Sequence, residues 1–492
     1  MRRREFVGLV GSGLGSLMAW RGAWPVPAAA QQVSPPAGSA GATGIKPAQA
    51  IADFIVNFDL KSAPPIVVDR ARVAFIDTVG VMLAGSQHHP TDLICDVIKA
   101  EGSAPAATVV GRPLRASVQL AALANGVSGH AMDFDLTYFA GQSMASVVPT
   151  ILPIAEVSRS TPSEMLAALI VGAEICGRLS RAAPTMSRTG GWHATGTVGT
   201  MAAAAAAARL LKTPATAIPD IMGITASLAS GVTANFGTMT KPLHAGQAAR
   251  NGILAVQLGS KGFTASAAAL EGRDGFLENF ARGLERTTEP FADLGKAYDL
   301  ETYGYKIKPY PSGGLGHTAI DAALELRSLA PVSDIASVEV AITKYAGRRY
   351  TSLYPRTGEA AKFSGPYLAA YTLVHGAPML AAFTEEALRD ERVRALASKV
   401  TLTTYQEHAD VLEESPAKVT VTLNDGRKLE RAKYYPSGSV QAPMTKAQIE
   451  EKFMICATTA IKPDAAKKLF AMLSNIGEQP SSDAFWPLLK TG

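Results

Sequence analysis

The stretch from Gly196 to Leu211 reads GTVGTMAAAAAAARLL and decides the fold. Its alanine run, Ala202–Ala208, is too apolar for a surface helix, and its side chains are too small to fill space. We therefore expect a central helix against which neighbouring helices pack closely. A simple alanine bias of the sequence would produce the same run, so the run alone leaves both explanations open.

Apolar residues recur at helical spacing on both sides of this stretch. The segments are separated by breaks rich in Pro, Gly, Ser or Asn, and they include Ile51–Leu60, Val67–Leu83, Val118–Ser128, Ser163–Arg178 and Gly246–Leu258. This pattern predicts an all-helical bundle domain over residues 46–270. The helical spacing returns in residues 440–492, which are expected to complete that domain.

The pattern changes after residue 300. Apolar residues alternate in Ile335–Ile342, and Lys418–Leu423 reads KVTVTL before the turn Asn424-Asp425-Gly426, as is typical of strands. Helical stretches lie between these strands, so residues 271–439 are expected to form a smaller α+β lid domain. The predicted fold class is mainly α, with an α+β second domain.

The composition excludes several classes of protein. Of the 492 residues, 47% are hydrophobic and 18% are charged, which is typical of a globular chain and excludes disorder for its bulk. The formal charge is +5, but residues 1–30 carry four arginines and one glutamate, so the remainder has a charge of only +2. Such a near-neutral body gives no electrostatic reason to expect nucleic acid as a partner.

Residues 1–30 have the layout of an export signal. A basic start precedes the apolar run Val7–Trp20 and the small residues Ala28-Ala29-Ala30. Arg3-Arg4-Glu5-Phe6 resembles the twin-arginine signal of proteins that are exported folded, which predicts cleavage near Ala30 and a periplasmic or secreted protein. An uncleaved anchor is the alternative, but the apolar run is shorter than the roughly 20 residues that span a bilayer. Residues 31–45 are predicted to be a flexible leader, and no stable membrane insertion is expected after removal of the signal.

The three cysteines are far apart in apolar stretches and have no zinc-binding spacing. They are predicted to be buried thiols, although an oxidising compartment would permit one disulfide. They are Cys95, Cys176 and Cys456.

A dense polar cluster follows Asn125-Gly126. It reads HAMDFDLT and places His130, Asp133, Asp135 and Thr137 at a helix end or in the loop that follows. Such a cluster among apolar helices indicates the rim of a pocket. Helix capping by the Asp and Thr side chains, with a hydrogen-bonded core histidine, explains it equally well.

Two further histidines and a lysine lie near predicted helix starts. His193 follows the glycines of GGWHATG, and a histidine that titrates near neutrality is suited to proton transfer. Lys241 and His244 are three residues apart and therefore share a face if Pro242 starts a helix. Cations at a helix N-terminus oppose the helix dipole unless an anion is also present, which points to an anionic ligand.

A proline-stiffened loop and the end of the first strand of the lid domain supply more polar groups. The loop YKIKPYPSGG carries Lys306 and Lys308, and Tyr345 follows the strand with Arg348 and Arg349 beyond it. Separately, these lysines and arginines are ordinary surface residues. Together with the histidines they provide what the binding of a polycarboxylate and proton transfer would need.

These residues belong to motifs that together resemble the MmgE/PrpD family, which includes 2-methylcitrate dehydratases, cis-aconitate decarboxylases and iminodisuccinate epimerases. The likeness runs from about residue 46 to 475 and rests on seven motifs in order: Asn125-Gly126 with His130–Thr137, Gly191–His193, Thr240–Ala249, Leu270–Phe276, Lys308–Ser312, Lys362–Ser364 and Gln441–Thr445. The resemblance implies a helical bundle, an α+β lid, a homodimer and a metal-free pocket between the two domains.

The resemblance also assigns the pocket positions. They are Asp133, Thr137, His193, Lys241, Lys308 and Tyr345, and His244 is added as a substrate-binding residue. Two departures concern possible proton donors. Gln142-Ser143-Met144 stands where the family often has His-Pro-Ser, and Gly313 stands where it has Cys or His.

The resulting hypothesis is a lyase that needs neither a cofactor nor a metal and resembles 2-methylcitrate dehydratase. His193 removes a proton next to a carboxylate, Lys241 and Lys308 hold the developing charge, and Tyr345 or His130 is the acid. Two alternatives stay open. One is an epimerase of an amino- or imino-dicarboxylate, and the other is a periplasmic carboxylate-binding protein without catalysis.

Overall fold

The computed structural model describes residues 44–139, 141–188, 190–282, 284–411 and 414–490. The expected export signal, residues 1–30, and nearly all of the expected leader lie outside the described residues. None of the helices in the described part of the chain has the combined length and apolar character that crossing a bilayer requires.

The first part of the chain is helical and carries one short β ribbon. Its elements are α1 (Pro47–Asn57), α2 (Pro65–Ser86), α3 (His89–Glu101), β1 (Ala107–Thr108), β2 (Arg115–Ala116), α4 (Val118–Ala131), α5 (Met144–Ser158), α6 (Pro162–Ala182), α7 (Thr185–Arg188), α8 (Val198–Leu210), α9 (Ile218–Leu228), α10 (Thr240–Gly259), α11 (Phe276–Ala281) and α12 (Asp299–Thr302). The two-residue strands β1 and β2 pair antiparallel and were not predicted, because pairing of this length leaves no period in the sequence.

Helix α8 is the central helix that the alanine run predicts. Every residue of Ala202–Ala208 is fully buried, and α8 packs against α5, α6, α9 and α10. The approach is close because small residues face each other: a Cβ added at Gly252 of α10 would lie 2.7 Å from the backbone nitrogen of Ala204. The expectation of a buried central helix is confirmed.

The crossing of α4 and α10 is equally tight and yields a stability prediction. A Cβ at Gly246 would lie 2.4 Å from the carbonyl oxygen of Leu123 and 2.8 Å from Val127 Cγ2. Gly246→Ala is therefore expected to lower the free energy of unfolding by roughly 2–3 kcal/mol, because a backbone carbonyl cannot rotate away as a side chain can. Urea denaturation measures the loss. Gly347→Ala is the matched control, since no atom lies within 4 Å of its added Cβ, and equal stability of the two variants would contradict the prediction.

The second part of the chain contains a four-stranded sheet and its helices. The elements are α13 (His317–Arg327), β3 (Ile335–Ile342), α14 (Lys344–Gly347), α15 (Gly358–Ala361), α16 (Gly365–His375), α17 (Glu385–Leu388), α18 (Glu391–Ala397), β4 (Val400–Thr404), β5 (Ala417–Leu423), β6 (Lys428–Lys433), α19 (Lys446–Ala457) and α20 (Pro463–Ser474). The strand order is β4-β3-β5-β6, in which β3 and β4 are parallel and the other two pairs are antiparallel.

The sheet buries one face under α13 and α16. Val419, Val421 and Leu423 of β5 are buried, whereas the alternate residues are half-buried, as a strand with one covered face requires. Val338 pairs with Val421 in the centre of the sheet. The fold is thus mainly α with a smaller α+β part, as the sequence predicts.

The last two helices return to the first part of the chain. Helices α19 and α20 pack on α2, and Phe453 and Leu469 belong to the same hydrophobic core as Phe75. The three cysteines are buried free thiols, as predicted. Four parts of the chain meet beside the turn that precedes α8. They are the C-terminus of α4, the N-terminus of α10, the loop before α13 and helix α14.

Candidate active site

The carboxylate of Asp133 lies at the centre of the site. Helix α4 ends at Ala131, and Asp133 follows with φ of +49°, a left-handed conformation that Asp tolerates better than most residues. Its Oδ1 accepts hydrogen bonds from Lys241 Nζ at 2.9 Å and from Lys308 Nζ at 2.5 Å. Burial alone would raise the pKa of Asp133, but the charges of the two lysines outweigh it and hold this pKa well below its usual range. Asp133 is therefore an anion whose Oδ2 has no hydrogen-bond partner among the described residues.

Three ammonium groups converge on this region. Lys308 Nζ also donates to the Asp133 carbonyl oxygen at 3.0 Å, and Lys362 Nζ donates to the carbonyl oxygen of Ala131 at 2.8 Å. The Lys241 ammonium lies 5.2 Å from the ring centroid of Phe236 and 5.1 Å from that of Phe363, so cation–π contacts replace part of its hydration. Since Lys241 and Lys308 share the single carboxylate of Asp133, these two ammonium groups would also stabilise the negative charge of a ligand.

Lys362 gives a pH-dependent prediction. Burial lowers its pKa to about 8, although the charge of Asp133 opposes this shift. The unfolded chain thus binds more protons than the folded chain between pH 8 and about 10.4, so stability rises with pH across that window. The wild type should gain up to about 3 kcal/mol relative to Lys362→Met between pH 7.5 and 10.5, as measured by urea denaturation at each pH. Parallel curves of unfolding free energy against pH for the wild type and Lys362→Met would contradict this prediction. Lys344→Met, a change at a surface ion pair, is the control for the loss of a positive charge.

Three histidines form a row beside the lysines. His193 Nδ1 lies 3.0 Å from His244 Nδ1, and the rings of His130 and His193 stack with their centroids 5.4 Å apart. His130 Nδ1 in turn lies 2.9 Å from Asp135 Oδ2. Burial is the main cause that lowers the pKa of His193 well below its usual value and the pKa of His244 to about 4. Both imidazoles are therefore neutral at neutral pH, and in the hydrogen bond between them one Nδ1 donates and the other accepts.

The backbone fixes the position of His193. Gly191 has φ of +80°, and the N–H of His193 donates to the carbonyl oxygen of Gly231 at 2.9 Å. A Cβ at Gly196 would lie 2.2 Å from the carbonyl oxygen of Ser230, so only glycine allows the two segments to approach. The turn holds the imidazole with its Nε2 buried and without a hydrogen-bond partner among the described residues. An unpaired buried ring nitrogen is available to a ligand.

A cavity of about 420 Å³ opens beside these groups. The predicted residues that line it are Asp133, Thr137, His193, Lys241, Lys308 and Tyr345. His130 and His244 are absent from the described wall and contact the His193 imidazole instead. The structure thus brings all eight candidate residues together, while their roles stay predictions.

Both departures from the family motifs have structural counterparts. Gln142 lines the cavity, and its backbone N–H donates to Thr195 Oγ1 at 2.9 Å. At Gly313 a Cβ would lie 2.7 Å from the hydroxyl oxygen of Tyr350, which donates to the Gly313 carbonyl oxygen. A side chain at position 313 would therefore displace Tyr350, whose ring lines the cavity in its place.

Two aromatic residues at the site carried no role in the sequence interpretation, namely Phe236 and Tyr350, which line the cavity. Arg349, one of the cations that the sequence singled out, also lines it, and its guanidinium lies 5.2 Å from the Phe236 ring and 5.8 Å from the Tyr345 ring. The only signal for Lys362 was its place in the family motif Lys362–Ser364. Aromatic residues scattered along the chain have no period or spacing that would assign them to a pocket.

A second buried ion pair supports the loop that carries Asp133. Lys452 Nζ of α19 donates to Asp77 Oδ1 at 2.5 Å and to the carbonyl oxygen of Phe134 at 2.7 Å. Asp77 Oδ2 accepts from the N–H of Leu136 at 2.9 Å. The helices α2 and α19 thereby fix the backbone between Asp133 and Thr137. Nothing in the sequence pattern predicted this contact.

The polar cluster at the end of α4 also brings possible metal ligands together. Ligand atoms of His130, Asp133 and Asp135 lie within 4.8 Å of one another. The ammonium groups of Lys241 and Lys308 already bind Asp133, and their positive charge disfavours a cation beside it. These residues therefore fit a carboxylate that is bound by two lysines better than they fit the ligand set of a metal ion.

Comparisons with known proteins identify relatives along most of the chain. Residues 49–288 match the MmgE/PrpD N-terminal domain, and residues 310–477 match the MmgE/PrpD C-terminal domain. Human cis-aconitate decarboxylase is 28% identical over 442 residues, which cover 86% of this chain and 90% of the relative. A cis-aconitate decarboxylase of Aspergillus terreus is 26% identical over 448 residues, 85% of this chain and 91% of the relative. This chain belongs to the MmgE/PrpD family.

Proposed function

We propose that this protein is a cofactor-independent lyase that acts on a small polycarboxylate and begins by removing a proton next to a carboxylate. One observation carries the proposal: Lys241 and Lys308 lie at the cavity with a neutral His193 whose Nε2 has no partner among the described residues. Lysines bind carboxylates, and a neutral imidazole accepts a proton. The relatives, which are named as decarboxylases of a tricarboxylate, support the lyase class.

In the mechanism that we favour, His193 Nε2 takes the proton from the carbon next to a bound carboxylate. This requires His193 Nδ1–H to donate to His244 Nδ1, so that Nε2 carries the lone pair. Negative charge then spreads onto the carboxylate, where the buried ammonium groups of Lys241 and Lys308 stabilise it. The hydroxyl leaves from the neighbouring carbon as water after it receives a proton from Tyr345. Tyr345 is preferred to His130 as this acid because it lines the cavity and His130 does not.

Dehydration of the 2-methylcitrate type is the first candidate for the overall reaction. A neutral histidine suits a first step that removes a proton, whereas decarboxylation needs an acid that protonates the developing carbanion. This chain has Gln142-Ser143 and Gly313 at two positions where the family offers such an acid. Decarboxylation is the second candidate, because it is the named activity of the relatives.

The test incubates the purified protein in D₂O with citrate, 2-methylcitrate, cis-aconitate and iminodisuccinate. Absorbance of a new conjugated double bond indicates dehydration, release of CO₂ indicates decarboxylation, and deuterium uptake without either indicates epimerisation. Lys241→Met should abolish the response while the variant stays folded, because Lys308 still pairs with Asp133, and Lys344→Met, a surface variant, should retain the response. Tight binding without any reaction would favour a carboxylate-binding protein, and neither binding nor reaction would refute the polycarboxylate class.

We also propose that the chain is exported through its twin-arginine-type N-terminus and acts as a homodimer in the periplasm. The support is the sequence Arg3-Arg4-Glu5-Phe6 with the apolar run that follows it, and the family resemblance for the dimer. Mass spectrometry of the protein from a periplasmic fraction should find an N-terminus near Gln31. Replacement of both Arg3 and Arg4 by lysine should keep the chain in the cytoplasm, and sedimentation of the mature protein should give the mass of a dimer.

A further inference from the structure

The cavity has a charged inner end and an apolar patch at its entrance. Its buried wall carries Asp133, His193, Lys241 and Lys308. Three other wall residues are large, hydrophobic and exposed to solvent: Tyr303 at 48%, Tyr435 at 41% and Val440 at 40%. Since exposed residues mark the opening, the entrance presents apolar side chains beside the exposed polar residues Thr302, Ser437 and Gln441.

Three of the apolar wall residues lie near one another. The rings of Phe139 and Tyr303 lie 5.3 Å apart, and a Cβ at Gly304, the residue after Tyr303, would lie 2.7 Å from Val440 Cγ2. The charged residues Lys306 and Glu414 also line the cavity, so the patch of Phe139, Tyr303 and Val440 is the apolar part of a mixed wall.

The size of the cavity points the same way. Its volume of about 420 Å³ falls within the roughly 300–1,000 Å³ of sites that hold drug-sized ligands. The ammonium groups at the inner end would bind the carboxylates of a substrate, so the apolar patch at the entrance is left for a part of the substrate that is not charged.

We propose that the substrate is a polycarboxylate with an extended apolar substituent, alkyl or aryl, whose carboxylates bind at Lys241 and Lys308 and whose substituent lies against Phe139, Tyr303 and Val440. This inference rests on the proposed function for the reaction but concerns the identity of the substrate. It separates this protein from an enzyme that is specific for an unsubstituted short acid.

The test measures the affinity of unreactive acids by calorimetry, using succinate, 2-butylsuccinate and 2-octylsuccinate. Affinity should rise roughly twofold to fourfold for each added methylene until the entrance is filled. Tyr303→Ser should reduce the ratio of the affinities for octylsuccinate and succinate, and Tyr303→Phe should restore it. Phe263→Ser is the matched control, because Phe263 is an exposed aromatic residue outside the described wall of the cavity.

Equal affinity for the three acids would overturn the inference, and so would equal responses of the Tyr303→Ser and Phe263→Ser variants. The exchange of substrate protons in D₂O tests the proposed function separately from these affinities. A gain with chain length but no exchange for any acid, alkylated citrates included, would retain the apolar subsite and refute the lyase. Deuterium exchange at the same rate for every length of the alkyl substituent would support the lyase and refute the apolar subsite.

Discussion

His193→Gln is expected to slow deuterium exchange into the substrate by about 10²–10⁴-fold, the usual contribution of a general base. The imidazole is buried and neutral, and its Nε2 has no other partner among the described residues. Glutamine keeps a polar side chain at this position but cannot take a proton from carbon. The loss should therefore appear in the exchange rate and leave the thermal midpoint nearly unchanged.

The control for this variant is His375→Gln. His375 pairs with Asp390 at 2.7 Å at the end of α16 and lies outside the described wall of the cavity, so the exchange rate should not change. The pH dependence gives a second readout, because kcat/KM reports the ionisation of the free enzyme. Since burial lowers the pKa of His193 well below 6.5, kcat/KM should not fall between pH 7 and 5 once ionisation of the substrate is allowed for. Exchange by His193→Gln at the wild-type rate would remove His193 from the mechanism.

Asp133→Asn is expected to destabilise the protein by about 3–5 kcal/mol, because the change leaves two buried ammonium groups without their counterion. Lys241 and Lys308 share the single oxygen Oδ1, and asparagine offers that oxygen without its charge. A ligand carboxylate can supply the missing charge. We therefore expect citrate to raise the thermal midpoint of the variant by more degrees than it raises that of the wild type.

Calorimetric melting with and without citrate measures both effects. Asp410→Asn is the control, since Asp410 forms an exposed pair with Lys344 and surface pairs contribute little to stability. If Asp133→Asn melts like the wild type and responds no more strongly to citrate, then Asp133 is not the counterion that holds the two lysines in place.

Local patterns predicted the parts of the fold that depend on neighbouring residues. The alanine run predicted that α8 lies at the centre of the helical bundle. Alternating apolar residues, followed in one case by a turn sequence, predicted β3 and β5. The ribbon of β1 and β2 escaped prediction because each strand has only two residues. Its pairing is too short to leave a period.

At the site, too, local sequence patterns identify some residues and miss others. Asp133, Lys241 and Lys308 were singled out because each lies in a polar cluster among apolar helices and in a family motif. The Lys452–Asp77 pair was missed because its members are 375 residues apart and each resembles an ordinary surface charge in the sequence. Only tertiary packing brings such groups together, so no spacing rule identifies them.

The same pair sets the order in which the protein can be completed during synthesis. Asp77 is made 375 residues before Lys452, which at about 5–20 residues per second is an interval of roughly 20–75 s. For all of that time the Asp77 carboxylate lacks the ammonium group that binds it in the finished protein, and the Phe134 carbonyl group, made 318 residues before Lys452, lacks it for most of that time. A nascent chain therefore cannot hold the loop of Asp133 as the finished protein does until helix α19 has been translated.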